Sequence, residues 1–92
     1  MRVKNHRQTV LITDDDAAVR EILAEILSSQ GYEILQADSG EAALAIAGSR
    51  RIDAFLLDME MPKTNGIQIC LALRRLDEYQ STPIIFITGT GE

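Results

Sequence analysis

The chain has 92 residues, of which 46% are hydrophobic, and it carries a net charge of −5 and a single cysteine. This length fits one small domain, and the apolar share excludes an intrinsically disordered chain. One cysteine excludes a disulfide framework and a Cys/His metal cluster, which predicts a reduced, cytoplasmic setting. The acidic balance and an aromatic content of 4% argue against nucleic-acid binding by this segment. No apolar run could span a membrane, and no secretory signal follows the polar, basic residues 1–8.

Short apolar runs alternate with helical segments along the chain. The runs predict four strands, which are Thr9–Thr13, Tyr32–Ala37, Ala54–Asp58 and Ile84–Thr88, the last of them opened by Pro83. Three helices are predicted between the strands, with an apolar face at Val19, Ile22, Leu23, Ile26 and Leu27 in the first, and over Glu41–Gly48 and Ile67–Tyr79 in the others. The strands are too uniformly apolar to face water. They predict an α/β fold in which helices cover both faces of a parallel sheet.

Residues at the helix ends match known capping preferences. Gly31 stands where the end of the first helix needs a left-handed residue. Asp38–Ser39 offers an N-cap to the second helix, with Glu41 as the capping-box partner of Asp38. Asp16 is expected to face solvent or to cap the first helix.

Polar side chains follow three of the predicted strands at their carboxyl ends. Asp14 and Asp15 follow the first strand, Asp58 closes the third and Thr88 closes the fourth. If the first and third strands are neighbours, three carboxylates and a hydroxyl converge on one crevice, where open parallel sheets bind ligands. Two carboxylates ~4 Å apart repel by about 4 kcal/mol at an effective dielectric of ~20. Either one stays protonated, or a hard cation such as Mg²⁺ neutralises the group, and a carboxylate beside such an ion can form an aspartyl-phosphate.

Three motifs occur in a fixed order: ITDDD at the first strand, LLDMEMPKTNG at the third and PIIFITG at the fourth. Together they resemble the receiver domain of two-component response regulators, from about Thr9 to the chain end. The resemblance implies a flavodoxin-like (CheY-like) three-layer fold with the strand order 2-1-3-4-5. It also implies a phospho-acceptor in two-component signal transduction, with Mg²⁺ as cofactor and a histidine kinase or a histidine phosphotransfer protein as donor. Such a domain is not an enzyme in the ordinary sense, although receivers catalyse their own phosphoryl transfer.

The same resemblance implies roles for individual residues. Asp58 matches the phospho-acceptor and, with Asp14 and Asp15, belongs to the metal-binding set. Asp15 matches the direct Mg²⁺ ligand, and Asp14 matches its partner, which in the family often acts through water. The backbone carbonyl of Glu60 falls at the remaining protein ligand. Thr88 matches the switch hydroxyl that moves toward the phosphoryl group.

The match covers the loop after the acceptor, where Pro62 and Gly66 stand at family positions, but it lacks the family's last elements. Receivers have a fifth strand that begins with a lysine contacting the phosphoryl group, followed by a final helix, whereas this sequence ends at Glu92. We therefore expect a polar, basic tail over residues 1–8 and a truncated receiver domain over residues 9–92. The chain would be a fragment of a longer regulator, or a homodimer built through the exposed edge of its fourth strand.

Other interpretations stay open. The aspartates from Asp14 to Asp16 alone could be a helix N-terminal cluster that favours the macrodipole. A phosphatase or phosphotransferase of the haloacid dehalogenase type also uses a strand-end aspartate with Mg²⁺, but it needs a second aspartate at the position that Glu60 occupies in this chain. The remaining alternative is a degenerate or truncated receiver that acts as a protein–protein interaction or dimerisation module without phosphorylation. Phosphorylation at Asp58 would separate this last interpretation from the leading one.

Overall fold

A single parallel sheet organises residues 7–87, the part of the chain that the computed structural model describes. Its strands are β1 (Thr9–Thr13), β2 (Glu33–Ala37), β3 (Ala54–Asp58) and β4 (Ile84–Ile87), in the order β2-β1-β3-β4. The helices are α1 (Ala17–Ser29), α2 (Gly40–Ser49) and α3 (Gly66–Arg74), followed by a short 3₁₀ helix (Asp77–Tyr79). The parallel α/β fold expected from the sequence is confirmed. Residues 1–6 of the expected tail lie outside the described residues, and Arg7 and Gln8 are exposed.

The main core lies on one face of the sheet. Leu11, Phe55 and Leu57 point to this face and pack against α2 and α3, which also contact each other. Side chains alternate between the two faces of a strand, so the buried residues Val10 and Ile12 point to the opposite face, where α1 packs on β1 and β2. The molecule therefore has three layers, as the sequence predicted.

The register of the strands brings their carboxyl ends to one edge of the sheet. Thr13, the last residue of β1, is paired with Ala37 of β2 and with Leu57 of β3. Asp58 is paired with Ile87, the last described residue. Each loop that leaves this edge therefore starts next to the others.

The predicted helix Ile67–Tyr79 is wrong at its carboxyl end, because α3 ends at Arg74. The backbone of Leu76 is extended, with φ −86° and ψ 130°, and it separates α3 from the 3₁₀ helix. Nη1 of Arg74 donates hydrogen bonds to the carbonyls of Tyr79 and Thr82, at 2.8 and 2.7 Å, and so holds the turn.

Burial of Tyr79 explains the change of direction. Its hydroxyl donates to the carbonyls of Ala47, at 2.7 Å, and Arg50, at 2.9 Å, at the end of α2. Its ring meets Phe55 edge-on with a centroid separation of 5.1 Å. The apolar spacing alone would also fit one continuous α-helix through Tyr79. The tertiary contacts of Tyr79 override this local pattern and determine where the segment turns.

The ends of the other helices confirm one capping prediction and correct another. Gly31 has φ +97°, the left-handed conformation expected after α1. The N-cap expected at Asp38–Ser39 is found at Ser39, whose Oγ accepts from the N–H of Ala42 at 3.1 Å, so the capping box of Asp38 with Glu41 is wrong. Glu41 instead lies in the first turn, where its charge favours the helix dipole.

β4 forms one edge of the sheet within the described residues, with β3 as its neighbour. Ile85 is 54% exposed and Phe86 is 39% exposed, on opposite faces of this strand. None of the helices within residues 7–87 combines the length and the apolar character that crossing a bilayer requires.

Candidate acidic site at the carboxyl edge of the sheet

Three carboxylates meet where β1 and β3 end side by side. Oxygens of Asp14, Asp15 and Asp58 all lie within 4.8 Å of one another. Asp14 and Asp58 are only 5% and 6% exposed, whereas Asp15 is exposed. The site therefore has two acids in the protein interior and one at its mouth, and the acids meet because β1 and β3 are neighbours.

Asp14 is held through its side chain and through its main chain. Its Oδ1 accepts from the N–H of Asp16 at 2.9 Å, and its own N–H donates to the carbonyl of Ala37 at 3.1 Å. Asp16 in turn caps α1, because its Oδ1 accepts from the N–H groups of Ala18 and Val19. The capping role expected for Asp16 is confirmed. The turn that begins α1 thus also orients the Asp14 carboxylate.

Asp58 is positioned by the loop that follows β3. Its Oδ1 accepts from the N–H of Glu60 at 3.0 Å. The N–H of Gly66 donates to the carbonyl of Met59 at 3.1 Å, which closes the loop. A Cβ atom on Gly66 would lie 2.6 Å from the carbonyl oxygen of Asp58, so the approach needs a glycine.

The electrostatics of this cluster favour a bound cation. Burial raises the pKa of Asp14 above its usual value of 3.8, and the charges of Asp58, Asp15 and Asp16 raise the pKa further. The hydrogen bond from the Asp16 N–H opposes these effects by favouring the ionised form. Carboxylate oxygens are the ligands that hard divalent cations prefer, and such a cation would relieve the repulsion. The residues present therefore fit Mg²⁺.

A solvent-open cleft of about 400 Å³ adjoins the cluster. It is lined by Asp15, by residues 38–41 at the start of α2 and by residues 61–64 of the loop after β3. Asp15 belongs both to this cleft and to the acidic cluster. A small ligand in the cleft would therefore meet the acids from the side of Asp15.

The structure brings together three of the five residues that the sequence analysis assigned to the site. Asp14, Asp15 and Asp58 converge, and Thr88 lies outside the described residues. The N–H of Glu60 contacts Asp58 and its side chain is exposed, while the metal-binding role of its carbonyl stays a prediction.

Sequence reasoning missed two residues at this edge of the sheet. Nη1 of Arg20 donates to the carbonyl of Asp14 at 2.7 Å, and Oγ1 of Thr13 is buried without a hydrogen-bond partner in the described part of the chain. Arg20 is three residues from α1's start and off its apolar face, so periodicity gave no signal of this contact. Thr13 has the β-branched side chain of an ordinary strand residue.

Comparison with known proteins identifies the family. The family model of the response regulator receiver domain matches residues 10–92. The phosphate regulon transcriptional regulatory protein PhoB of Pseudomonas aeruginosa is 40% identical over 85 residues, which are 92% of this chain and 37% of that protein. The chain belongs to the response regulator receiver domain family. It is a receiver domain of the response regulators of two-component systems.

Solved structures agree with this assignment. The chemotaxis protein CheY4 of Vibrio cholerae superposes with a TM-score of 0.90 at 32% identity, over 95% of this chain and 72% of that one. The response regulator TrrA of Thermotoga maritima, solved in complex with Mg²⁺ and BeF, gives a TM-score of 0.83 at 34% identity, over 91% of this chain and 71% of that one. The chain thus spans little more than a third of the length of PhoB and under three quarters of these solved chains.

Proposed function

We propose that this chain accepts a phosphoryl group on Asp58, with Mg²⁺ held by Asp14, Asp15, Asp58 and the backbone carbonyl of Glu60. The observation that carries the proposal is the convergence of three carboxylates within 4.8 Å at the carboxyl edge of a receiver fold. Receiver domains accept phosphoryl groups from histidine kinases, so the proposed donor is a histidine kinase or a histidine phosphotransfer protein. In this function the chain is an acceptor in a signalling relay and not an enzyme with a separate substrate.

The two oxygens of Asp58 have different surroundings, which suits a nucleophile. Oδ1 is occupied by the N–H of Glu60, and Oδ2 accepts no hydrogen bond from residues 7–87. Oδ2 is therefore the oxygen that would attack the phosphorus of a phosphohistidine. The P–O bond forms as the P–N bond breaks. The electron pair of the P–N bond stays on the ring nitrogen, and the imidazole leaves neutral with the proton on its other nitrogen. When bound, Mg²⁺ would supply positive charge to the phosphoryl oxygens.

Residues around Asp58 would assist without taking part in bond formation. Asp14 and Asp15 would hold the cation, and the N–H of Glu60 keeps the Asp58 carboxylate in one orientation. As the switch residue, Thr88 would donate a hydrogen bond from its hydroxyl to a phosphoryl oxygen. These assignments are carried over from the family positions of the motifs.

Intact-mass spectrometry after incubation with acetyl phosphate and Mg²⁺ tests the proposal. We expect the wild-type chain to gain one phosphoryl group, and Asp58→Asn to gain none because the nucleophile is lost. Asp77→Asn is the matched control, since Asp77 is an exposed acid in the 3₁₀ helix, outside the acidic cluster. The wild-type gain should also disappear when EDTA removes the metal. A phosphoryl group retained in Asp58→Asn, or absent from a folded wild-type chain, would contradict the proposal.

A second candidate function is that of an interaction or dimerisation module that works without phosphorylation. The exposed apolar side chains of Ile85 and Phe86 favour it. The carbonyl of Pro83 accepts from the N–H of Phe55 in β3, and the carbonyl of Ile87 accepts from the N–H of Met59 directly after β3. The backbone groups of Ile84 and Phe86 therefore face the outer edge of β4. Such an edge can pair with a strand of a second copy. Self-association together with a failure to phosphorylate would favour this candidate over the first.

A further inference from the structure

Arg20 ties α1 to the main chain of the acidic site. Its Nη1 donates to the carbonyl oxygen of Asp14 at 2.7 Å, and its Nε donates to Oε1 of Gln36 at 3.1 Å. The side chain is partly buried. One planar guanidinium therefore bridges the end of β1 and the side chain of β2 that lies beside it, a task that suits the fixed fork of arginine.

These contacts form part of a closed ring of hydrogen bonds. The N–H of Asp14 donates to the carbonyl of Ala37, the residue that follows Gln36 in β2. The ring runs by a hydrogen bond from Asp14 to Ala37 and along the chain of β2 to Gln36. It closes through two hydrogen bonds of Arg20, one to the side chain of Gln36 and one to the carbonyl of Asp14. Both peptide groups of Asp14 are thus fixed, one by β2 and one by α1.

We propose that Arg20 is a positioning residue of the phosphorylation site, an inference that rests on the function proposed above. The carbonyl that Arg20 holds belongs to the planar peptide group that joins Asp14 to Asp15. Holding this plane sets ψ of Asp14 and φ of Asp15, and so it sets the directions in which the two carboxylates leave the chain. Without Arg20, the peptide could rotate and the two carboxylates would no longer point to a common centre.

The charge of Arg20 and its hydrogen bonds have opposite effects on metal binding. A guanidinium close to a divalent cation repels it, so an effect of charge alone would make a neutral variant bind Mg²⁺ more tightly. Loss of positioning would make the same variant bind Mg²⁺ more weakly. The sign of the change in affinity therefore decides between the two.

Calorimetric titration of the folded chain with Mg²⁺ is the test. We expect Arg20→Gln to weaken the affinity about tenfold, the lower end of the effect of outer-shell partners at metal sites. Arg50→Gln is the matched control, and this variant should leave the affinity unchanged. Arg50 pairs with Glu33 at 3.0 Å, and Glu33 is the first residue of β2, at the end of the sheet opposite to the acidic site. An Arg20→Gln affinity equal to or tighter than that of the wild type would overturn the inference.

Two further variants separate positioning from general loss of structure. Arg20→Lys keeps a donor for the Asp14 carbonyl and should recover part of the affinity, and Gln36→Ala should weaken Mg²⁺ binding less than Arg20→Gln does. A lysine variant as weak as the glutamine variant would assign the effect to lost packing and overturn the positioning role. A wild-type chain that binds no Mg²⁺ would contradict the proposed function itself. Normal wild-type binding with a tighter Arg20→Gln variant would contradict this inference alone.

Discussion

The hydroxyl of Thr13 makes no hydrogen bond within the described residues, although the residue is fully buried directly before Asp14. A buried polar group without a partner costs about 1–3 kcal/mol of stability. The same strand provides a contrast, because Oγ1 of Thr9 donates to Glu33 at 3.2 Å. Two threonines on one face of β1 therefore have opposite hydrogen-bonding states.

Replacing these two hydroxyls should change stability in opposite directions. Thr13→Val keeps the shape and removes the unpaired oxygen, and we expect the free energy of unfolding to rise by about 1–2 kcal/mol. Thr9→Val loses a hydrogen bond and should lower that free energy by about 1 kcal/mol. Urea denaturation followed by far-UV circular dichroism measures both. A loss of stability in Thr13→Val would indicate that a buried water completes the hydrogen bonding of the threonine.

Asp14 should make stability depend on pH. Its pKa is raised in the folded state, so protonation of Asp14 favours the native state. This contribution to the free energy of unfolding is complete below the unfolded-state pKa near 3.8, and it is lost as pH rises through the folded-state pKa. Asp14→Asn cannot ionise, so its stability does not fall in this way as pH rises. Its amide oxygen can still accept from the N–H of Asp16. We expect the variant to be more stable than the wild type at pH 7, with a smaller difference near pH 3.5.

Urea denaturation across this pH range, in buffer without divalent ions, checks the prediction for Asp14. Addition of Mg²⁺ at pH 7 should then stabilise the wild type more than Asp14→Asn, because a ligand that binds the native state adds to its stability. A wild-type chain whose stability rises steadily from pH 4 to pH 7 relative to the variant would contradict the expected direction of the pH dependence.

At the scale of elements, the loop from β3 to α3 depends on Gly66. A methyl group at this position would lie 2.6 Å from the carbonyl oxygen of Asp58, so the backbone must move. We expect Gly66→Ala to lower the free energy of unfolding by about 1–3 kcal/mol, the usual cost of overpacking. Because the displaced carbonyl belongs to the acceptor residue, phosphorylation by acetyl phosphate should also slow.

Gly48 gives the matched control for this substitution. It lies in α2 with an ordinary backbone conformation and with no atom within 4 Å of an added Cβ. Gly48→Ala should therefore stabilise the chain by roughly 0.5–1 kcal/mol through its lower unfolded-state entropy. Thermal melts of the two alanine variants should shift in opposite directions, and equal shifts would contradict the steric argument at Gly66.

Elements fixed by local pattern could be predicted from the sequence, and those fixed by tertiary contacts could not. The bounds of β1 and β3 were predicted correctly, because each is a short apolar run that ends at an acid. The carboxyl end of α3 was wrong, since the burial of Tyr79 against α2 is not visible in the spacing of apolar residues. The N-cap of α2 was predicted at Asp38–Ser39 and is Ser39. The capping box that paired Asp38 with Glu41 was wrong, because aspartate and serine both cap helices well and only one of the two is the cap.

The same division applies to the candidate site. Asp14, Asp15 and Asp58 could be predicted, because strand ends in a parallel sheet meet at one edge. The contact of Arg20 with the Asp14 carbonyl could not, since it depends on how α1 sits on the sheet. The missing partner of Thr13 is likewise a property of packing around one atom.

At the scale of the whole molecule, the second candidate function places the contact between two copies at β4, which is an edge of the sheet within the described residues. Its outer backbone groups belong to Ile84 and Phe86, and the second candidate function requires them to pair between two copies. Under this candidate, light scattering coupled to size exclusion should show a dimer fraction that grows with protein concentration. A lysine on an edge strand opposes such pairing, so Phe86→Lys should be monomeric over the same range.

Ile26→Lys is the control for the edge substitution. Ile26 is an exposed apolar residue of α1, away from β4, so the change adds the same charge to a different surface. It should leave the dimer fraction as in the wild type. A wild-type chain that stays monomeric at every concentration would remove the second candidate.

The strand order β2-β1-β3-β4 also sets an order of events during synthesis. Among the four described strands β1 leaves the ribosome first and becomes an interior strand, and each later strand adds at an open side of the growing sheet. Asp14 and Asp15 emerge 44 and 43 residues before Asp58, an interval of roughly 2–9 s at ordinary translation rates. The nascent domain can pair β1 with β2 during this time, but the acidic site cannot form until β3 docks beside β1. Competence to bind a metal would thus report that the centre of the sheet has been completed.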